Sequence, residues 1–389
     1  MRLSNFQLLL TVTIGLFSLV SCQKQTEKDE SILALSTKAQ ASVSNIGEIK
    51  LQEGVLFYPS NGESNINPST VALEVGNYDQ LVYATRLTEV QQQGLGATLA
   101  LHLNVYAGTA QTEPFGYLYY FKTAKGTATP SAENDPTLTA AYRAGRVEMA
   151  RYVLPYLSTQ WNQSGLVNIT TSSPVVPYEF DISAFASALK DQDSTIWIAS
   201  SQGQPGNNSY TYKTDLTLVS SGNTDLNSWP KDNYTLPIVG FLNMGGTLTQ
   251  TKSLTQSFTV PDDIADVKFR VLYTGPEGFY TTNVLTLDGQ QIDSYSTRMV
   301  CVPEQRYQER NPSVANGSVQ PGLWNYPTRN YCQSDTVPPR TAFMANMLTQ
   351  GTHQLRLDMT QHVAGIANYG GAIVVSISLV GTLARNETQ

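Results

Sequence analysis

Alternation of apolar and polar residues along many short runs constrains the fold of this chain more than any other feature. Such period-two patterns, rich in β-branched and aromatic residues, predict strands. The clearest are residues 70–75, 80–87, 97–106, 115–121, 195–199, 210–219, 267–273, 282–287, 353–359 and 372–380. One helix is predicted, at residues 136–150, because Asp135 is a good N-cap and Pro136 suits the first turn. Without helices between successive strands we predict an all-β protein rather than a nucleotide-binding sheet.

The length of the chain and one polar stretch predict two domains. The residues beyond position 44 are more than one hydrophobic core usually serves. Residues 220–233 are rich in turn formers and nearly free of hydrophobic side chains, which is typical of a linker. We therefore predict two β-sandwich domains, at residues 45–222 and 223–389.

The first residues have the pattern of a secretory signal. Arg2 precedes an apolar stretch at residues 8–20, and the small residue Ser21 comes before Cys22. This stretch is too short for a membrane span, so residues 1–21 are predicted to be a signal peptide. The run Leu-Val-Ser-Cys resembles a bacterial lipobox, which implies cleavage before Cys22 and attachment of lipid to that cysteine.

The polar segment after the lipobox predicts a tether to a membrane. Residues 22–44 are rich in Ser, Thr, Gln and charge, so they bury too little apolar area to order themselves. Lipid on Cys22 would anchor the protein without a transmembrane helix. Residues 28–30 (Lys-Asp-Glu) resemble the acidic export tag of some surface lipoproteins. We expect an outer-membrane lipoprotein exposed at the cell surface.

Composition excludes several functional classes. The chain has 24 basic and 31 acidic residues and a net charge of −7, whereas nucleic-acid binding needs a basic face. It has only three histidines, without a His-x-His motif, and we expect no metal and no cofactor. The 21 tyrosines suit either sugar stacking or ordinary sheet packing.

Cys301 and Cys332 bracket a loop with many Pro and Gly residues. Because Cys22 has another role, these two cysteines of an exported protein most simply pair with each other. Closing a loop of this length would contribute about 3–4 kcal/mol of stability. The loop also contains Trp324 and Arg329. Either it presents these two side chains at a surface, or it is a long loop that the disulfide only stabilises.

Several stretches together resemble the peptide:N-glycosidase F (PNGase F) family. Residues 150–156 and 178–185 are similar to two strand segments of its first domain. Residues 321–332 follow its Pro-Gly-x-Trp…Arg…Trp-Cys disulfide loop, and residues 337–340 (Val-Pro-Pro-Arg) follow its Val-Pro-Thr-Arg. The resemblance implies two jelly-roll domains packed side by side. It also implies hydrolysis of the amide that joins an N-linked glycan to asparagine.

The family's site residues carry over only in part. The resemblance implies Glu277 as the catalytic carboxylate, Trp324 and Arg329 as substrate-binding groups, and the disulfide described above. Two further family acids would fall near residues 98–101 and 199–202, where this chain has none. A hydroxyl or amide cannot accept the proton that the attacking water must lose.

Three functions therefore stay open on the sequence. The first is a PNGase F-like amidase acting on N-linked glycans or glycopeptides, with Glu277 and Arg329 retained. The second is a non-catalytic protein that binds the same glycans, and the third is a structural surface subunit. His102 could serve as a base beside the missing acid, or it could be an ordinary surface or packed histidine. The expected partners are an N-linked glycan or glycopeptide and, through the lipid, a membrane.

Overall fold

The computed structural model describes residues 46–57, 70–74, 81–106, 115–131, 134–153, 175–202, 212–225, 234–244, 252–275, 279–298, 336–363 and 373–384. These residues form antiparallel strands with a few short helices, so the predicted all-β class is confirmed. The strands are β1 (Glu48–Phe57), β2 (Thr70–Glu74), β3 (Leu81–Arg86), β4 (Thr98–Tyr106), β5 (Phe115–Ala124), β6 (Val147–Val153), β7 (Val175–Asp181), β8 (Ser194–Gln202), β9 (Tyr212–Ser221), β10 (Tyr234–Met244), β11 (Lys252–Val260), β12 (Ile264–Thr274), β13 (Phe279–Leu287), β14 (Gln290–Ser296), β15 (Arg340–Phe343), β16 (Gly351–Val363) and β17 (Ile373–Leu383). The helices are α1 (Glu89–Gly94), α2 (Pro136–Gly145) and α3 (Ala186–Leu189), the last preceded by a 3₁₀ turn at Ser183–Phe185.

The strands assemble into four sheets. Sheet 1 has the order β1-β9-β4-β7 and sheet 2 the order β2-β3-β8-β5-β6. Sheet 3 has the order β10-β17-β12-β15 and sheet 4 the order β11-β16-β13-β14. Sheets 1 and 2 share one hydrophobic core, and sheets 3 and 4 share a second. Strands β1–β9 therefore serve the first core, and β10–β17 serve the second.

The predicted alternation fixes which side of each strand faces a core. In β16, Leu355 and Leu357 are buried in the second core. Gln354, which precedes them, and Arg356, which lies between them, are exposed. Each fully buried leucine side chain stabilises the fold by about 1.5–3 kcal/mol. In β17, by contrast, all of residues 373–381 are buried. This strand is covered on both faces, which indicates a second layer against sheet 3.

The second layer is the outer face of sheet 2. Tyr117, Tyr119 and Trp197 of that face belong to a cluster that also contains residues of α2 and Val374 of β17. The ring of Tyr117 meets that of Phe241, from β10, edge-on at 5.4 Å between centroids. The contact region between sheets 2 and 3 is called the junction below.

The helix prediction at residues 136–150 was only partly correct. The helix α2 ends at Gly145, and Val147 already belongs to strand β6. Residues 147–150 are compatible with a helix by propensity, but pairing with β5 and burial on both faces determine their conformation. Two short helices were not predicted, and the first is stabilised by a capping box between Thr88 and Gln91. No helix in the described part of the chain is long and apolar enough to cross a membrane.

One glycine is required by close packing inside the first core. A Cβ atom on Gly116 in β5 would lie 1.9 Å from Cζ of Tyr152 in the neighbouring strand β6. The Tyr152 ring is fully buried and packs against Tyr178 at 5.1 Å between centroids. The Tyr152 ring therefore occupies the space that a side chain at position 116 would need, and the surrounding core restricts its movement.

Candidate functional site

Strand β6 carries two charged residues into the junction. Glu148 and Arg151 are 3% and 0% exposed, within an otherwise apolar strand. The pairing with β5 shifts between Ala150 and Glu148, which leaves Met149 as an extra residue. Strand side chains alternate, so positions three apart normally face opposite sides; the extra residue of a bulge brings them to the same side. The bulge is therefore what allows the carboxylate and the guanidinium to meet.

The Glu148–Arg151 pair connects sheet 2 to sheet 3. Arg151 donates from Nε to Glu148 Oε1 and from Nη2 to Oε2, both at 2.8 Å. Its Nη1 donates to Thr274 Oγ1 at 2.8 Å and to the Val374 carbonyl at 2.9 Å. Ser376 donates to Glu148 Oε2 at 2.5 Å. Burial lowers the pKa of Arg151, but the attraction and hydrogen bonds of Glu148 outweigh it, so the pKa of Arg151 is raised.

A second arginine reaches the same strand from sheet 3. Arg270 donates from Nη1 to the Glu148 carbonyl at 2.8 Å and from Nη2 to the Met149 carbonyl at 2.5 Å. Its guanidinium lies 5.2 Å from the ring centroid of Phe185. Burial lowers the pKa of Arg270 to about 10, so it stays charged at neutral pH. The bulged backbone of β6 is therefore held by a cation from the other half of the chain.

A third arginine of the junction is surrounded by aromatic rings. Arg146 follows α2, and its guanidinium lies 4.8 Å from the ring centroid of Tyr142 and 5.0 Å from that of Phe241. Such cation–π contacts stabilise a desolvated guanidinium by about 2 kcal/mol. The described residues of the junction thus include three arginines and one buried carboxylate, Glu148, which pairs with Arg151. The electrostatic character of this region is cationic.

Two predicted site segments, 276–278 and 299–335, are each preceded or followed by a described residue that contacts strand β6. Thr274, which binds Arg151, is the last residue of β12 and precedes the segment 276–278. Thr336, which follows the segment 299–335, forms a β-bridge with Tyr152. The next residue, Val337, donates its backbone N–H to the Arg151 carbonyl at 2.8 Å. The predicted residues Glu277, Trp324, Arg329, Cys301 and Cys332, and Cys22 near the start of the chain, lie outside the described residues.

The two positions where the family's acids are missing differ in their surroundings. Ser200, Ser201 and Gln202 at the end of β8 are fully buried, and Ser200 Oγ donates to Gln52 Oε1 at 2.6 Å. That region is a hydrogen-bonded part of the first core. At the other position, His102 is exposed on sheet 1, with Nε2 3.7 Å from an oxygen of Glu179. Its environment is that of a surface histidine.

A pocket opens beside the junction, next to Val337. It encloses about 190 Å³ and is lined by Val271 and Tyr273 of β12, by residues 295–298 and by residues 337–340. We call it the arginine pocket, because Arg298 and Arg340 both line it. Apart from the two residues of β12, its described walls come from the residues that precede and follow the segment 299–335.

The two arginines of the pocket are held differently. Arg340 donates from Nε and Nη2 to the two carboxylate oxygens of Asp293, at 2.8 Å each, and these bonds raise the pKa of Arg340. The guanidinium also lies 5.2 Å from the ring centroid of Tyr295. Arg298 is exposed, with its guanidinium 6.0 Å from the ring centroid of Tyr280. Arg340 is thus fixed by Asp293, whereas Arg298 is an exposed residue that follows the end of β14.

Sequence reasoning did not identify the charged groups of the junction and the pocket. The one available indication of a buried ion pair was the presence of two charged residues, Glu148 and Arg151, in an otherwise apolar run. The predicted helix hid this indication, because residues three apart are ordinary neighbours on a helix surface. Arg340 was noted only as part of a family motif. Within the described ranges, no group of three or more His, Cys, Asp or Glu side chains could hold a metal ion.

Comparison with known proteins identifies the fold. No protein-family model matches the chain, and no curated protein matches it either. Among solved structures, PNGF-II superposes with a TM-score of 0.62 at 14% identity, covering 88% of this chain and 66% of the other. A peptide-N(4)-(N-acetyl-β-D-glucosaminyl) asparagine amidase superposes with a TM-score of 0.50 at 14% identity, covering 86% of this chain and 96% of the other. This chain spans just under two-thirds of the length of PNGF-II. Its four-sheet, all-β fold is therefore similar to that of PNGF-II and of the asparagine amidase.

Proposed function

We propose that this protein recognises N-linked glycans or glycopeptides at the cell surface, using two side-by-side jelly-roll domains on a lipid anchor. The observation that carries the proposal is the convergence on strand β6. Thr274 and Thr336, the described residues beside the two predicted site segments, contact Arg151 and Tyr152, which are adjacent in that strand. Residues from both halves of the chain thus meet at one place, on a fold similar to that of an asparagine amidase.

Recognition is favoured over hydrolysis by the state of the carboxylate at the junction. Activation of water needs a carboxylate that can take a proton from it. Both oxygens of Glu148 accept hydrogen bonds from Arg151, and the side chain is buried. Since Glu148 cannot serve as this base, hydrolysis would depend on Glu277. In this proposal Trp324 supplies a stacking face and Arg329 supplies fixed donors to sugar hydroxyls.

Hydrolysis of the glycosyl-asparagine amide is the second candidate, and one contact favours it. Thr274 begins the connection that contains Glu277, and its hydroxyl accepts a hydrogen bond from the buried Arg151. A carboxylate on this connection would take the proton that the attacking water must lose. In this alternative Glu277 activates water and Arg329 stabilises the oxyanion that develops on the amide.

One experiment tests both candidates. The mature protein is incubated with a peptide that carries an N-linked glycan, and binding is measured by calorimetry. Release is followed by mass spectrometry, as conversion of the glycosylated asparagine to aspartate. We expect binding without conversion, and weaker binding for Trp324→Ala and Arg329→Ala but not for Lys50→Ala, an exposed residue of β1. Conversion that disappears in Glu277→Gln would establish the amidase. If the protein shows no binding and no conversion, the proposal is refuted.

A further inference from the structure

The arginine pocket has a cationic character in a chain that is acidic as a whole. None of the described residues that line it is acidic, and two are arginines. Asp293 accepts hydrogen bonds from Nε and Nη2 of Arg340, and Nη1 has no bond to any described residue. Arg298 is exposed and makes no ion pair within the described part of the chain. Since Asp293 neutralises Arg340, the net positive charge of the pocket comes from Arg298, and this local charge would attract an anionic group.

The rest of the pocket combines flat apolar walls with hydroxyl groups. Tyr273, Pro338 and Pro339 supply rings, while Ser296 supplies a hydroxyl. Such walls suit a sugar, which has an apolar face of C–H groups and a rim of hydroxyls. Pockets for drug-sized ligands enclose roughly 300–1,000 Å³. At about 190 Å³ this one has room for a single six-membered ring.

We propose that the arginine pocket binds a hexuronic acid, that is, a sugar ring with a carboxylate, as one residue of a glycan. The carboxylate lies between the Arg298 guanidinium and Nη1 of Arg340, because guanidiniums bind carboxylates through short, charge-assisted hydrogen bonds. Asp293 keeps Arg340 oriented, so little side-chain entropy is lost on binding. The ring packs against the proline and tyrosine walls. This inference rests on the proposed function and names the glycan chemistry that the protein prefers.

The test compares two sugars that differ only in the carboxylate, together with an acidic ligand that has no sugar ring. Methyl glucuronoside, methyl glucoside and N-acetylglutamate are titrated into the mature protein by NMR. We expect the glucuronoside to bind at least tenfold more tightly than the neutral glucoside, with an affinity that falls as salt increases. Equal affinity for the two sugars would overturn the proposal. Equal affinity for N-acetylglutamate would also overturn it and would identify a site for acidic peptide side chains instead.

Variants assign the binding to the pocket. Arg298→Ala should lose tenfold or more in affinity for the glucuronoside, and Arg298→Lys should lose less, because a lysine keeps the charge but not the fork of donors. Arg298 is exposed, so both variants should fold normally. The matched control is Arg356→Ala, which removes an exposed arginine of sheet 4 outside the pocket. Unchanged affinity in Arg298→Ala would contradict the assignment.

A second ligand separates this inference from the proposed function. The same proteins are titrated with a glycopeptide whose N-linked glycan has only neutral sugars. If the glycopeptide binds and the glucuronoside does not, the proposed function stands and the uronic-acid inference fails. If only the glucuronoside binds, the pocket is assigned correctly and the proposal about N-linked glycans fails. If neither binds, both fail.

Discussion

Replacing Arg151 by methionine should destabilise the protein more than almost any other single substitution at a charged residue. The side chain is 0% exposed and makes four hydrogen bonds, two of them to Glu148. Without it, the Glu148 carboxylate stays buried, and Ser376 is the one described residue that still donates a hydrogen bond to it. Breaking one side of a buried ion pair costs about 3–5 kcal/mol. Natural domains are stable by only about 5–15 kcal/mol, so this loss is a large fraction of the total.

A double variant tests whether the uncompensated carboxylate causes the loss. In Glu148→Leu/Arg151→Met both charges are gone, and replacing a buried ion pair by apolar residues is often neutral or stabilising. Thr274 and the Val374 carbonyl lose a partner as in the single variant, and Ser376 also loses its acceptor, at about 1–3 kcal/mol for each unsatisfied group. We therefore expect the double variant to be destabilised, but less than Arg151→Met alone.

Urea unfolding, followed by tryptophan fluorescence, measures these free energies. The matched control is Arg356→Met, because the Arg356 side chain is 53% exposed and its partner Asp358 is 26% exposed. A surface pair of this kind contributes about 0–1 kcal/mol. The reasoning is refuted if Arg151→Met costs no more free energy than the control, or if the double variant is less stable than the single one.

Three other perturbations have definite expected outcomes. Burial lowers the pKa of His353, but the hydrogen bonds to Asp288 and the Thr349 carbonyl, together with the charge of Asp288, outweigh burial and raise the pKa from 6.5. The stabilisation is therefore complete below about pH 6.5 and is lost as the pH rises through the folded-state pKa. His353→Gln should lower the melting temperature at about pH 5.5 and have little effect at about pH 9. Gly116→Ala puts a methyl group into a fully buried tyrosine ring and should cost about 3 kcal/mol in urea unfolding, whereas Gly145→Ala, with no atom within 4 Å of the new methyl group, should cost none. Cys22→Ala should move the protein from the membrane fraction to the soluble fraction, and unchanged fractionation would disprove the lipid anchor.

Local alternation was sufficient to predict most strands. In β16 every second residue from Leu355 to Met359 enters the second core, so the pattern of side chains and the burial agree. The same approach was wrong for residues 147–150, where glutamate, methionine and alanine suit a helix. Pairing with β5 and contact with sheet 3 determine that segment, and neither is a local property of the sequence.

The geometry of the candidate site was less predictable for a related reason. In a helix, Glu148 and Arg151 would be neighbours through ordinary spacing; in a strand they meet only because of the bulge at Met149. Their partners Thr274 and Val374 are more than a hundred positions away in the chain. A single sequence contains no information about such contacts. The family resemblance pointed to two candidate segments, but not to the contacts that strand β6 makes with Thr274 and Thr336 beside them.

The position of β17 within sheet 3 determines when the second half of the chain can assemble. β17 pairs with β10 on one side and with β12 on the other, although it follows both by a long stretch of sequence. Until residues 373–383 have been synthesised, both neighbours have unpaired peptide groups along one edge, and such edges attract other strands. Pairings between distant segments also form slowly. Sheet 3 and the second core are therefore completed only when β17 is inserted between β10 and β12.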